Sequence, residues 1–201
     1  MWSLIQAAGW PIWPLIFASV VALALIFERS WSLRQSAVAP PALVDRVLND
    51  FRQHGATPEL IAMTAQQGPL GRILATGLAN VHNPRPVMKE AIEEVGRGVT
   101  HELDRFLTTL GTIAAMAPLL GLFGTVVGMI EIFGSQTATG SNPIQLAHGI
   151  SVALYNTALG LIVAIPSMIF YRHFRAKVES YIVEMEQQAI KLVDFAHGER
   201  A

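Results

Sequence analysis

Residues 106–130 read FLTTLGTIAAMAPLLGLFGTVVGMI, an uninterrupted run without Asp, Glu, Lys, Arg or His. The hydrocarbon core of a membrane is about 30 Å thick, and about 20 residues of α-helix cross it. The run is long enough to cross, and it has no charged side chain to oppose insertion into lipid. We therefore predict a membrane-spanning helix here, extending over residues 106–134.

Two other windows are similarly apolar, at residues 7–27 and 144–171. The chain of 201 residues is 52% hydrophobic and only 14% charged, whereas soluble domains carry about 25% charged residues. No Lys or Arg precedes the first window, and Glu28 and Arg29 follow it. Because a cleavable signal peptide begins with a basic region, we expect this helix to be retained. The composition predicts an all-α integral membrane protein with three transmembrane helices.

The positive charges predict the orientation of these helices. Nine of the 14 Lys and Arg residues lie between Arg29 and Arg105, and the other five lie between Arg172 and Arg200. Positive charge is enriched in cytoplasmic segments. We therefore predict a first transmembrane helix with a periplasmic N-terminus (1–33), a cytoplasmic helical region (34–105), a second transmembrane helix (106–134), a periplasmic loop (135–143), a third transmembrane helix (144–171) and a cytoplasmic C-terminal helix (172–201).

Turn and cap residues divide the first cytoplasmic segment into short helices. Pro40-Pro41, Thr57-Pro58-Glu59 and Gly68-Pro69 mark starts or breaks, and Gly55 marks a stop. After Asn83-Pro84 no turn signal appears before the second span.

Apolar residues at helical spacing predict that two spans continue beyond the membrane. One stripe leads into the second span and predicts a single helix over residues 86–133, about 72 Å long at 1.5 Å per residue. The other follows the third span, and we expect the two extensions to pack on each other. The stripes are Met88, Ile92, Val95, Val99, Leu103 and Phe106, and Val178, Ile182, Met185, Ala189 and Leu192.

Small residues recur at helical spacing in the second and third spans. They are Gly111, Ala114, Pro118, Gly121, Thr125 and Gly128 in the second, and Ala153, Thr157, Gly160, Ala164 and Ser167 in the third. One interpretation is close packing of helix backbones, as in any membrane bundle. The other is that these faces surround a pore or another helix, with Thr125, Thr157 and Asn156 as its few polar groups. Both interpretations remain open at this point.

The middle of each span lacks every Asp, Glu, Lys and Arg; Glu131 and His148 lie near the predicted outer ends. Proton relays in membranes normally use ionisable side chains. Either the protein moves no protons or another chain supplies the titrating group. The sequence has no phosphate-binding loop, metal-ligand spacing or nucleophile with a base, so we predict no enzyme, no cofactor and no metal site. A net charge of -1 argues against a nucleic-acid partner.

Two segments carry a family resemblance. Residues 117–130 read APLLGLFGTVVGMI and residues 157–166 read TALGLIVAIP. With the three-span topology, they resemble the second-span and third-span signatures of the ExbB/TolQ/MotA family of ion-driven motors, most closely the ExbB proteins for biopolymer transport. The resemblance implies a multi-pass protein of the bacterial inner membrane.

The resemblance also implies an assembly. Five copies of the subunit would surround a central pore, which holds the helices of a single-span ExbD-like or TolR-like partner whose aspartate carries the proton. An ExbB-like subunit would energise TonB-dependent uptake across the outer membrane, whereas a TolQ-like one would serve the Tol-Pal envelope system with a TolA-like protein.

The family threonines correspond to Thr125 and Thr157, and Asn156 would share the proton pathway. The other small residues would pack at the pore face. Many relatives have a glutamate where this chain has Val152, which puts in doubt any model in which this subunit's own carboxylate relays the proton. The alternative of a different class is a passive membrane scaffold that uses the small faces only for packing.

Overall fold

The computed structural model describes residues 9–134 and 143–198, and within them every regular element is helical. Along this part of the chain lie α1 (Ile12–Ser32), α2 (Gln35–Val38), α3 (Leu43–His54), α4 (Pro58–Ala65), α5 (Gly68–Ala79), α6 (Arg85–Asp104), α7 (Leu107–Gly134) and α8 (Pro143–Ala196). The predicted all-α fold is confirmed for these residues. The first eight residues of the predicted periplasmic N-terminus, and residues 135–142 of the predicted periplasmic loop, lie outside the described ranges.

Three helical stretches are long and apolar enough to cross a membrane by length and composition: Ile12–Ser32, Arg85–Gly134 and Leu146–Ala196. Many exposed side chains within residues 12–31, 116–133 and 144–170 are large and apolar. Phe17 is 73% exposed and Ile162 is 65% exposed. Contiguous apolar surface of this kind marks contact with a membrane or another chain. These helices therefore have the character predicted for a membrane protein.

The short helices follow the predicted turn signals. Thr57 caps α4 by accepting a hydrogen bond from the Leu60 amide at 3.2 Å, and Pro58 occupies the first turn. Gly55 ends α3 with φ 74°, a left-handed value that glycine adopts without steric cost. The predicted break at Gly68-Pro69 is also present, because α5 starts there.

The prediction of one helix over residues 86–133 is wrong. The helix ends at Asp104, and α7 begins only at Leu107. Arg105 has an extended backbone with ψ 138°, and Phe106 has φ 66°, which is unfavourable for a bulky side chain. Near the break, the buried Arg29 guanidinium donates to the Leu103 carbonyl at 3.2 Å and so satisfies a group in the last turn of α6.

The chain divides into two compact units. The apolar unit comprises the described residues within 1–28 and 106–173, and the polar unit comprises those within 29–105 and 174–201. The apolar unit has a small core in which α1, α7 and α8 all take part: Leu15, Ala117, Val163 and Ala164, with Ile113, Leu120 and Leu159 packed against it.

In the polar unit, the end of α8 packs against α5 and α6. A Cβ atom at Gly77 would lie 2.6 Å from Leu192 Cδ2 and 3.2 Å from Ile92 Cδ1. Arg85 also forms an ion pair with Asp194 at 2.8 Å. The predicted continuation of the third span through residue 192 is confirmed, and so is its packing on the helix that precedes the second span.

Candidate functional site in the apolar unit

The helices α7 and α8 approach each other closely at Gly121 and Gly160. A Cβ atom built at Gly121 would lie 2.7 Å from the Asn156 carbonyl oxygen and 3.0 Å from Thr157 Cα. One built at Gly160 would lie 2.6 Å from the Ala117 carbonyl oxygen and 3.1 Å from Gly121 Cα. Because all these neighbours are backbone atoms, neither position has space for a side chain. The two helices thus meet backbone to backbone, as small residues permit in membranes.

The other small residues extend this contact along both helices. A Cβ atom at Gly128 would lie 3.1 Å from Ala153 Cβ, and one at Gly111 would lie 3.0 Å from the Tyr171 ring. The remaining predicted pore-face residues are buried or half-buried: Ala114, Pro118, Ala153 and Ala164. Within one chain, these faces pack against neighbouring helices. Their contribution to a pore stays a prediction.

The buried face of α7 is rotated by about one residue from the predicted face. It includes Ala114, Ala117, Gly121 and Gly124, whereas Thr125 is half-buried at the edge. Both stripes follow steps of three and four and both consist of small residues, so spacing alone could not separate them. The signal that could have identified Gly124 is its position three residues after Gly121, which is equally compatible with one helix face.

Asn156 lies against Gly124 and is only 1% exposed. A Cβ atom at Gly124 would lie 2.7 Å from Asn156 Cβ and 2.8 Å from its Cγ. The absence of a side chain at Gly124 therefore makes room for the asparagine. Asn156 lies inside the chain rather than on its surface, and its place along a pore stays a prediction.

Thr125 and Thr157 are both half-buried, next to the close contact of α7 and α8. The Thr125 hydroxyl donates to the Leu122 carbonyl of its own helix at 2.6 Å, a common arrangement for threonine in membrane helices. Its oxygen keeps lone pairs that can accept a further hydrogen bond. The structure thus brings Thr157 to Gly121 and Asn156 to Gly124, with Thr125 adjacent in sequence.

The chemistry available at this contact is limited to hydrogen bonding. The hydroxyls of Thr125 and Thr157 and the carboxamide of Asn156 do not titrate in the physiological range. Among the described residues, no group of three or more His, Asp or Glu side chains could hold a metal ion.

Comparison with known proteins identifies relatives over most of the chain. A family model described as the MotA/TolQ/ExbB proton channel family matches residues 65–187, which include both segments that carry the predicted resemblance. The chain is 34% identical over 176 residues to the biopolymer transport protein ExbB-like 3 of Synechocystis sp., covering 85% of this chain and 83% of that protein.

Two relatives with different names are similar to the chain at nearly equal identity. The biopolymer transport protein exbB1 of Vibrio cholerae is 32% identical over 168 residues, which cover 81% of this chain and 74% of that protein. The Tol-Pal system protein TolQ of Pseudomonas aeruginosa is 31% identical over 198 residues, which cover 90% of this chain and 86% of that protein. Identity therefore does not separate the two names.

Proposed function

The chain belongs to the MotA/TolQ/ExbB proton channel family, as its sequence predicted, and from this membership we propose that it is an ExbB-like subunit of a proton-driven motor. The motor lies in the bacterial inner membrane and energises TonB-dependent uptake across the outer membrane. In this proposal α1, α7 and the first part of α8 cross the membrane. The distribution of Lys and Arg supports a cytoplasmic position for residues 34–105 and 172–201.

One observation supports the proposed origin of the carboxylate: the middle of every span lacks Asp, Glu, Lys, Arg and His. A proton crossing a medium of low dielectric needs a titrating group, and intramembrane carboxylates are the usual solution. The carboxylate therefore comes from a second protein, an ExbD-like single-span partner. Thr125 and Thr157 act by hydrogen bonding, directly or through water, to that carboxylate.

The exposed apolar surface supports an assembly around the partner. Large apolar side chains point outward on all three spanning helices, including Phe17, Ile130 and Ile162. Five copies of the chain around a central pore would cover part of this surface and leave the rest to lipid. The partner's spanning helices occupy that pore, and a TonB-like protein receives the resulting force.

A TolQ-like subunit is the second candidate function. It is favoured by the longer match to the Pseudomonas TolQ protein, over 90% of this chain, than to the Vibrio exbB1 protein, over 81%. In that system the partners are TolR-like and TolA-like proteins. A passive scaffold is the third candidate, and the close packing at Gly121 and Gly160 would suit it equally well.

Deletion of the gene in its own host distinguishes these functions. Growth on a ferric siderophore as the sole iron source reports TonB-dependent uptake, and resistance to detergent reports the Tol-Pal system. We expect deletion to abolish growth on the siderophore and to leave detergent resistance intact. The reverse result would assign the chain to the Tol-Pal system.

Complementation tests the motor itself. Wild-type protein should restore growth, and a Thr125→Val and Thr157→Val double variant that assembles normally should not. Restoration by the double variant would support a passive scaffold instead.

A further inference from the structure

A cavity of about 410 Å³ lies in the apolar unit. It is formed by the residue before α1, the end of α7 and the first turns of α8. Pro11, Glu131, His148, Val152 and Asn156 are among the residues that line it. The cavity combines a carboxylate, an imidazole and a carboxamide.

The two titratable side chains are accessible, whereas the carboxamide is not. Glu131 and His148 are exposed, and Asn156 is 1% exposed. Asn156 therefore belongs to the inner wall of the cavity. The same residue packs under Gly124 and precedes Thr157 in the chain. The cavity thus borders the close contact of α7 and α8, and a buried polar side chain lies between them.

The charges around the cavity come from two helices. Glu131 is contributed by α7 and His148 by α8, while the segment before α1 contributes Pro11. Among the described lining residues there is no Asp, Lys or Arg. The lining therefore has no permanently charged cation beside Glu131 and His148.

The chemistry of this pair fits a proton better than a metal cation. Hard cations such as Ca²⁺ take about six to eight oxygen ligands, and zinc takes at least three protein ligands in its usual sites. One carboxylate and one imidazole fall short of both sets. Either group binds a single proton, and histidine changes its charge between about pH 5 and 8.

We propose that this cavity is the proton-uptake site of the subunit, with Glu131 and His148 as proton acceptors and Asn156 at the inner wall. This inference rests on the proposed function and on the prediction that this end of the spans faces the periplasm. A hydronium ion transfers its proton to the carboxylate or the imidazole and leaves as water. The group then returns that proton to a water molecule beside Asn156 and regains its starting charge.

The test is proton uptake into liposomes that hold the complete complex with its membrane partner, measured at outer pH values from 5 to 8. We expect the Glu131→Gln and His148→Asn double variant to take up protons about tenfold more slowly than wild type. This loss is smaller than the usual contribution of a positioned proton-transfer group, because water can still reach the path. The double variant's dependence on outer pH should also flatten. A Glu131→Asp variant that keeps His148 should retain most of the wild-type rate of proton uptake, because aspartate also carries a carboxylate.

A matched control variant carries the same two kinds of substitution, Glu to Gln and His to Asn, in the polar unit. Glu94 and His82 are exposed residues of the polar unit, so the Glu94→Gln and His82→Asn double variant should behave like wild type. Wild-type rate and pH dependence in the cavity variant would overturn the uptake site and leave the proposed function intact. No proton flux in the wild-type complex would overturn the proposed function itself.

A second readout needs no variant and so does not depend on variant folding. Carbodiimides react with protonated carboxyl groups, and mass spectrometry locates the product. Glu131 in the wild-type complex should react more at low pH than at high pH, and its modification should slow proton uptake. Complete modification of Glu131 with unchanged uptake would contradict its role as a proton acceptor.

Discussion

Gly121 and Gly160 place the backbones of α7 and α8 in direct contact. A Cβ atom at either position would lie within 2.7 Å of a carbonyl oxygen of the facing helix. Replacement of either residue by leucine should destabilise the protein by about 1–3 kcal/mol, the usual cost of overpacking. Chemical denaturation in detergent measures the change in the free energy of unfolding.

Gly98 provides the matched control for these variants. It lies in α6, and a Cβ atom there would meet nothing within 4 Å. Gly98→Leu should be neutral or slightly stabilising, because leucine favours a helix more than glycine does. Equal stability of Gly121→Leu, Gly160→Leu and wild type would mean that the helices do not meet at these glycines.

Thr125 and Thr157 are expected to act through their hydroxyl groups. Valine keeps the shape of threonine but removes the hydroxyl, so each substitution should preserve assembly and reduce proton flux. A hydrogen bond to a charged group contributes about 1.5–3 kcal/mol, which corresponds to a loss of about tenfold to a hundredfold in rate. Flux measured in liposomes with the partner present tests this expectation.

Thr112 is a suitable control, because its hydroxyl also bonds its own helix, donating to the Thr108 carbonyl at 2.9 Å. Thr112→Val should leave the flux unchanged. If the Thr125→Val and Thr157→Val double variant were as active as the control, the hydroxyl role would be refuted and packing would remain.

Tyr181 links α8 to Leu33, the residue after α1, in the polar unit. Its hydroxyl donates to the Leu33 carbonyl at 3.0 Å, and a hydrogen bond of this kind contributes about 1 kcal/mol. Burial, and secondarily the charge of Glu184, raises the pKa of Tyr181. The unfolded chain therefore loses this proton at lower pH than the folded chain does, so stability should fall as the pH rises above about 10.

Tyr181→Phe tests both effects. Unfolding followed by circular dichroism should show a loss of about 1 kcal/mol at neutral pH. The difference between the two proteins should shrink as the pH rises above about 10. A difference that is constant across this range would mean that the titration of Tyr181 is not linked to folding.

The helices of the polar unit were largely predictable because local signals determine them. Thr57 with Pro58 starts α4, and Gly55 ends α3, through effects confined to one turn of backbone. The break at Arg105 and Phe106 was not predictable in this way. Neither residue is a glycine or proline, and the apolar stripe passes through the break. The hydrogen bond from Arg29 to the Leu103 carbonyl lies near this break, and it joins residues that are distant in sequence.

Residue spacing also failed to predict which face of α7 contacts α8. Small residues occupy two adjacent stripes, and only the facing helix selects the one with Gly124. The polar groups Thr125, Thr157 and Asn156 were selected from the sequence as polar residues on or beside the small-residue faces, and their role stays a prediction. The burial of Asn156 could not be predicted, since it depends on the space left by Gly124 on the neighbouring helix.

The whole subunit exposes too much apolar surface to be explained by its own packing alone. We expect five copies to assemble with the partner, and native mass spectrometry in detergent measures the number directly. The Gly121→Leu variant should show less pentamer than wild type, because its spans cannot pack normally. A dominant monomer or dimer of the wild-type chain, with the partner present, would contradict the proposed assembly.

Proton flux into liposomes, with and without the partner, tests most directly whether the titrating carboxylate comes from a second protein. Liposomes with the purified chain alone should take up protons no faster than empty liposomes, because the middles of its spans have no Asp, Glu, Lys, Arg or His. Liposomes with the chain and its partner should take them up rapidly. Rapid uptake by the chain alone would contradict the account, as would none by the complete complex.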